Sequence, residues 1–128
     1  RKEQATQLVQ QYVLNGQIPH SLQKKSAEFL VKLIEKHPDV FPQNARLLNE
    51  RDLSDSEGDI HRPDRIIVTE KNKYIIVDFK TGHPKESHKK QVAQYRDILK
   101  SMNLNVSRTC LLYLRPETGE SEVVDIHK

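Results

Sequence analysis

Cysteine is nearly absent: Cys110 is the only one in 128 residues. That excludes an internal disulfide, a four-cysteine zinc site and an iron–sulfur cluster held by this chain alone, and a reduced, cytoplasmic protein is the expectation. Aromatic residues make up 5 % of the chain, which leaves no stacking platform of the kind single-strand binders use. No apolar run approaches the roughly 18 residues of a membrane span, and no signal-peptide pattern opens the chain. Hydrophobic residues reach 35 %, below the roughly 45–50 % of ordinary domains, so a small core is expected. Neither sign of charge dominates: 21 Lys+Arg against 18 Asp+Glu leave a net charge of +3, compatible with a polyanion partner without demanding one. The segment Gly82-His83-Pro84-Lys85 lacks the first glycine and the spacing of a Walker A loop. There is no repeat, low-complexity segment or linker.

What is present is a helical part over 1–45 followed by a strand-rich part over 46–128, read as a single domain. Ala5, Leu8, Val9, Tyr12 and Val13 mark one face of a helix from Arg1 to Asn15, stopped by Asn15-Gly16. A second helix is expected after Ser21 as N-cap, with Leu22, Phe29, Leu30, Leu33 and Ile34 on its face and His37-Pro38 at its end. Arg46 to Leu53 reads as a short strand. Asp64–Thr69 and Tyr74–Phe79 carry the β-branched runs of a buried sheet. Lys85 to Met102 returns to helical period through Val92, Tyr95, Leu99 and Met102, and Thr109–Leu114 and Glu122–Ile126 complete the strands. The order is α-α-β-β-β-α-β-β, an α/β domain with a central mixed sheet flanked by helices. Because the chain opens at Arg1 inside a helical pattern, it is expected to be a piece of something longer.

The two central strands decide the chemistry. If Glu70-Lys71-Asn72 forms a three-residue loop with Asn72 left-handed, Thr69 pairs with Lys73 and Asp64 falls opposite Asp78. Their Cβ atoms are then roughly 4.5–5.5 Å apart on one face. A two-residue turn at Lys71-Asn72 would instead send the carboxylates to opposite faces; the longer loop is the expectation. Opposed like charges ask for a counter-charge, and a hard divalent ion, Mg²⁺ or Mn²⁺, suits oxygen ligands. Lys80 follows Asp78 by two residues and shares its face. The alternative is that Asp64 and Asp78 are solvated turn residues which Lys80 merely pairs. His83, Lys85, His88, Lys89 and Lys90 gather at the start of a helix, where cations oppose the macrodipole. A phosphate backbone would explain them, as would a solvated face.

The stretches Gly58-Asp59-Ile60-His61-Arg62-Pro63-Asp64-Arg65, Val77-Asp78-Phe79-Lys80-Thr81-Gly82 and Gln91-x-x-x-Tyr95 resemble the PD-(D/E)xK nuclease superfamily. The nearest branch is the C-terminal nuclease domain of RecB- and AddA-type (UvrD/Rep-like) helicase–nucleases. The resemblance implies a restriction-endonuclease-like core and a Mg²⁺-dependent deoxyribonuclease, exonuclease V-like, acting in double-strand-break repair and recombination. Asp64, Asp78 and the backbone carbonyl of Phe79 would bind the metal, with Mn²⁺ as a substitute. Lys80 would act on the attacking water or on the scissile phosphate. Gln91 and Tyr95 would line the site from the helix, Tyr95 having core packing as its alternative role. Glu50 matches an acidic position of the family and is a further candidate ligand, with Asp52 on the same strand face. Arg62, Lys85, His88, Lys89 and Lys90 would meet DNA. The resemblance further implies that ATP and unwinding would belong to a helicase domain of the parent chain, with a second helicase–nuclease subunit as a further partner and no membrane expected.

Two departures stand out. The gap between Gly58 and Asp64 is longer than in the family, and the first helix lacks the family's metal-binding histidine. A chain beginning downstream of that histidine would cut weakly or not at all by itself. The rival reading is a catalytically degenerate module that binds DNA or braces a partner subunit.

Overall fold

The computed structural model describes residues 2–14, 16 and 18–127. Its centre is a mixed five-stranded sheet in an α/β arrangement. Helix α1 (Lys2–Leu14) and helix α2 (Ala27–Lys36) precede strand β1 (Arg46–Asn49). Two short strands follow, β2 (Leu53–Ser54) and β3 (Ile60–His61), then β4 (Arg65–Val68), β5 (Lys73–Thr81), helix α3 (Glu86–Ser101), β6 (Asn105–Arg115) and β7 (Glu120–Asp125). The main sheet runs β1-β4-β5-β6-β7, antiparallel except for the β5–β6 pair, whose parallel connection is α3. Strands β2 and β3 form a separate hairpin.

Alternation along the strands builds two apolar layers. Ile67, Val77, Phe79, Cys110, Leu112 and Leu114 face α2, meeting Phe29, Leu30, Leu33 and Ile34. Ile66, Val68, Ile76, Leu111 and Tyr113 face α3, meeting Val92, Tyr95, Ile98 and Leu99. A sheet covered on both faces is why its central strands read as continuous apolar runs. Among the described residues no helix is long and apolar enough to cross a membrane.

Four local expectations are corrected. The N-cap of α2 is Ser26, whose hydroxyl accepts the Phe29 amide at 3.2 Å; Ser21 lies in a 3₁₀ turn over His20–Leu22. The strand from Arg46 ends at Asn49 because Glu50 turns left-handed at φ 53°. The β2–β3 hairpin is an addition to the expected order, inside the long gap before Asp64. Met102 is 55 % exposed, since it caps α3 after the last full turn, and Ile98 takes its place on the buried stripe. For the first helix, Arg1, Asn15 and the side chain of Ala5 lie outside the described residues.

Candidate active site

The register of the central hairpin is set by its loop. Asn72 is left-handed at φ 58°, its amide bonds the Thr69 carbonyl at 2.9 Å, and Thr69 N–H donates to the Lys73 carbonyl at 2.9 Å. Arg65 pairs with Val77, so the same register carried one residue further sets Asp64 against Asp78, the longer-loop geometry. Both carboxylates lie where β4 begins, on the α3 face. Asp64 N–H donates to Asp78 Oδ1 at 2.8 Å, and Phe79 N–H donates to Asp64 Oδ2 at 2.8 Å. Each aspartate thus holds the other strand's backbone. Burial and the neighbouring Asp78 charge push the Asp64 carboxyl up to about 7.

Pro63 explains why β4 goes no further. Continued register places it opposite Phe79 in a hydrogen-bonded position, but proline has no N–H for the Phe79 carbonyl. That carbonyl faces the same side as the Phe79 N–H that Asp64 takes. The donor set at this end of the sheet is therefore two carboxylates and one carbonyl, all hard oxygens. Among the described residues no group of three or more His, Cys, Asp and Glu side chains is placed to hold a metal. A site of two carboxylates suits Mg²⁺, which keeps waters and takes its other ligands from substrate phosphates. The like-charge repulsion gives such an ion something to relieve. The residues fit the group.

Lys80 Nζ lies 3.2 Å from Asp78 Oδ2 and donates to Gln91 Oε1 at 2.6 Å. Its side chain is 22 % exposed and that of Asp78 4 %, so this is a sheltered pair rather than a solvated one. Gln91 reaches down from α3 one turn before Tyr95. Tyr95 is buried in the α3 layer, its hydroxyl pushed above the usual phenol range by burial, then by Asp78 and Asp64. It is at once core residue and neighbour of the carboxylates. The hairpin adds a wall here: His61 meets the Tyr95 ring edge-on at 6.3 Å and holds Asp55 Oδ2 at 2.8 Å.

The remaining candidates scatter. Glu50 N–H donates to the Asp64 carbonyl at 3.0 Å, while its Oε1 accepts the Ser21 amide at 3.0 Å, which ties its carboxylate to the N-terminal turn. Asp52 lies beyond the end of β1 and pairs with Arg62 at 2.6 Å, both exposed. His83, Lys85 and Lys90 are exposed near the start of α3, and Lys89 pairs with Glu86 at 3.5 Å. Arg65 points to the opposite face, as alternation requires. Fully buried, it donates to Asn49 Oδ1, Val40 O and Gly16 O and lies 5.0 Å over the Phe41 ring.

Sequence reasoning passed over Tyr113. Its hydroxyl contacts His88 Nδ1 at 2.9 Å and accepts the Lys85 amide at 3.4 Å, from a side chain with no solvent exposure. A tyrosine inside the apolar run Cys110–Leu114 was a signal, because a buried phenol requires a partner.

No protein-family model matches this sequence, and no curated protein matches it. Among solved structures the chain is similar to one described as the crystal structure of SSO0001, at 19 % identity and a TM-score of 0.48. The match covers all of this chain and 64 % of that one, so the chain spans under two thirds of that structure's length.

Proposed function

We propose that this chain is a metal-dependent DNA nuclease domain with a restriction-endonuclease-like core of the PD-(D/E)xK type. It is the hydrolytic part of a larger ATP-dependent helicase–exonuclease of the cytoplasm, working in double-strand-break repair beside its helicase domain and a second subunit. The observation that carries the reading is the Asp64–Asp78 pair at a strand end with Lys80 beside it, held by Gln91 at 2.6 Å.

Asp64, Asp78 and the Phe79 carbonyl would hold Mg²⁺, or Mn²⁺ in its place, which supplies Lewis-acid activation of water and neutralises phosphate charge. The chain's own residues then have separate tasks. Lys80, its rotamer fixed by Gln91 and Asp78, holds a positive charge where the scissile phosphate gains negative charge. Tyr95 keeps its proton and offers a donor beside the carboxylates. The oxygen of water bonds to phosphorus, the bond to the 3′ oxygen breaks in line, and that oxygen leaves with a proton. The products are a 5′ phosphate and a 3′ hydroxyl. Lys85, Lys89 and Lys90 near the start of α3, together with Arg62, would attract the polyanion.

The test is Mn²⁺-dependent release of labelled nucleotides from DNA by the chain and by Asp78→Asn. Release that requires Asp78 is expected. Release untouched by Asp78→Asn contradicts the reading, and DNA binding indifferent to metal and to that substitution favours the non-catalytic module.

A further inference from the structure

His88 is set apart from the lysines around it. It is half-buried, its ring lies 5.6 Å from that of Tyr113, and its Nδ1 is 2.9 Å from the Tyr113 hydroxyl. It precedes Gln91 by three residues, so the two are neighbours along α3, and Gln91 is the residue that holds Lys80.

The hydroxyl fixes the tautomer. Tyr113 O–H has one hydrogen to give and already accepts the Lys85 amide at 3.4 Å. If it also accepted from His88 Nδ1–H, its own hydrogen would be buried without an acceptor, at a cost of about 1–3 kcal/mol. The hydroxyl therefore donates to Nδ1, and the ring hydrogen belongs on Nε2. Burial, then Lys80 and Lys85, hold the imidazole below its ordinary pKa, which keeps it uncharged at neutral pH. Among the described residues Nε2 has no partner.

We propose that His88 is a phosphate-binding residue of this site, a neutral Nε2–H donor aimed by the Tyr113 hydroxyl at a backbone oxygen of the bound DNA strand. The inference rests on the nuclease reading and replaces a diffuse cation with a directional contact. Lysines supply the long-range attraction; His88 fixes where a strand stops, one helical turn from the residue that holds Lys80.

Two substitutions separate the nitrogens. His88→Gln sets an amide N–H near the Nε2 position. His88→Asn keeps a polar atom only near Nδ1, within reach of Tyr113. The measurement is affinity for a labelled single strand in Ca²⁺, across a salt series. His88→Gln is expected to bind as the unchanged chain does. His88→Asn is expected to lose roughly 10- to 100-fold with the salt slope unchanged, because no charge is removed. Lys90→Ala is the control, its slope falling by about 0.7.

Equal affinities for His88→Asn and His88→Gln overturn the proposal and leave His88 a structural partner of Tyr113. Recovery by His88→Lys with a steeper slope overturns it in favour of a cation. A ¹H–¹⁵N spectrum of the unchanged chain reads the tautomer independently of any variant's folding, and Nδ1–H would also overturn it. If the unchanged chain binds no DNA, the nuclease reading itself has failed. If it binds and His88→Asn binds equally well, only this inference has.

Discussion

At the residue scale, the energetics of the site concentrate on Asp64. Its carboxyl is pushed up to about 7, so between its ordinary value of 3.8 and that point the folded chain holds a proton that the unfolded chain has released. Stability of the metal-free protein then falls as pH rises from about 4 through about 7. Asp64→Asn keeps an acceptor for the Phe79 amide and removes the repulsion, so it should be more stable than the unchanged chain at pH 8. That advantage should shrink toward pH 4; urea midpoints at the two pH values check it. The same linkage makes Mn²⁺ binding release a proton below pH 7, which calorimetry in two buffers reads. His37 runs the other way. Buried and 2.8 Å from Ser121 Oγ, it is lowered by burial and then by Lys36. Its contribution is full above pH 6.5 and is lost as pH falls through its folded value. The stability margin over His37→Gln should therefore narrow on acidification. Of these groups, Asp64, Asp78 and Lys80 were legible from spacing and the period of a strand. The Ser121 partner of His37 and the Tyr113 partner of His88 were not, since β6 and β7 bring them from far along the chain.

At the scale of elements, a single loop decides whether the carboxylates meet. Asn72 tolerates its left-handed φ of 58°, which is why the loop length could be read from composition. Deleting Thr69 while the Glu70-Lys71-Asn72 loop is kept should pair Val68 with Lys73, set Asp64 opposite Val77 and so carry it to the other face from Asp78. Loss of Mn²⁺ binding with a retained circular dichroism spectrum is the expected result. Ser26→Ala should cost α2 about 1 kcal/mol, seen as a lower urea midpoint, whereas Ser21→Ala should have a smaller effect. The short β2–β3 hairpin was illegible for a physical reason. Two-residue strands cannot show alternation, and this hairpin is closed by Asp55, whose Oδ1 accepts the Glu57 and Asp59 amides at 2.9 Å. The break at Glu50 was hidden as well, because a left-handed glutamate carries no composition signal.

At the scale of the whole molecule, two apolar layers enclose the sheet and the acidic pair opens at one end of it, beside the start of α3. The alternating layers were legible in the β-branched runs; which helix covers which face followed only from the observed packing. Arg65 couples the two faces, its backbone continuing from Asp64 while its guanidinium holds the carbonyls of Gly16 and Val40. In the proposed function Lys80, beside a metal held by Asp64 and Asp78, serves hydrolysis of a DNA backbone. The most direct measurement is cleavage of labelled single-stranded DNA in Mn²⁺ by the chain and by Lys80→Ala, with Mn²⁺ binding measured on both. Lys80→Ala should still bind Mn²⁺ but cut about 10²- to 10³-fold more slowly. Equal cutting by the two proteins would contradict the proposed function.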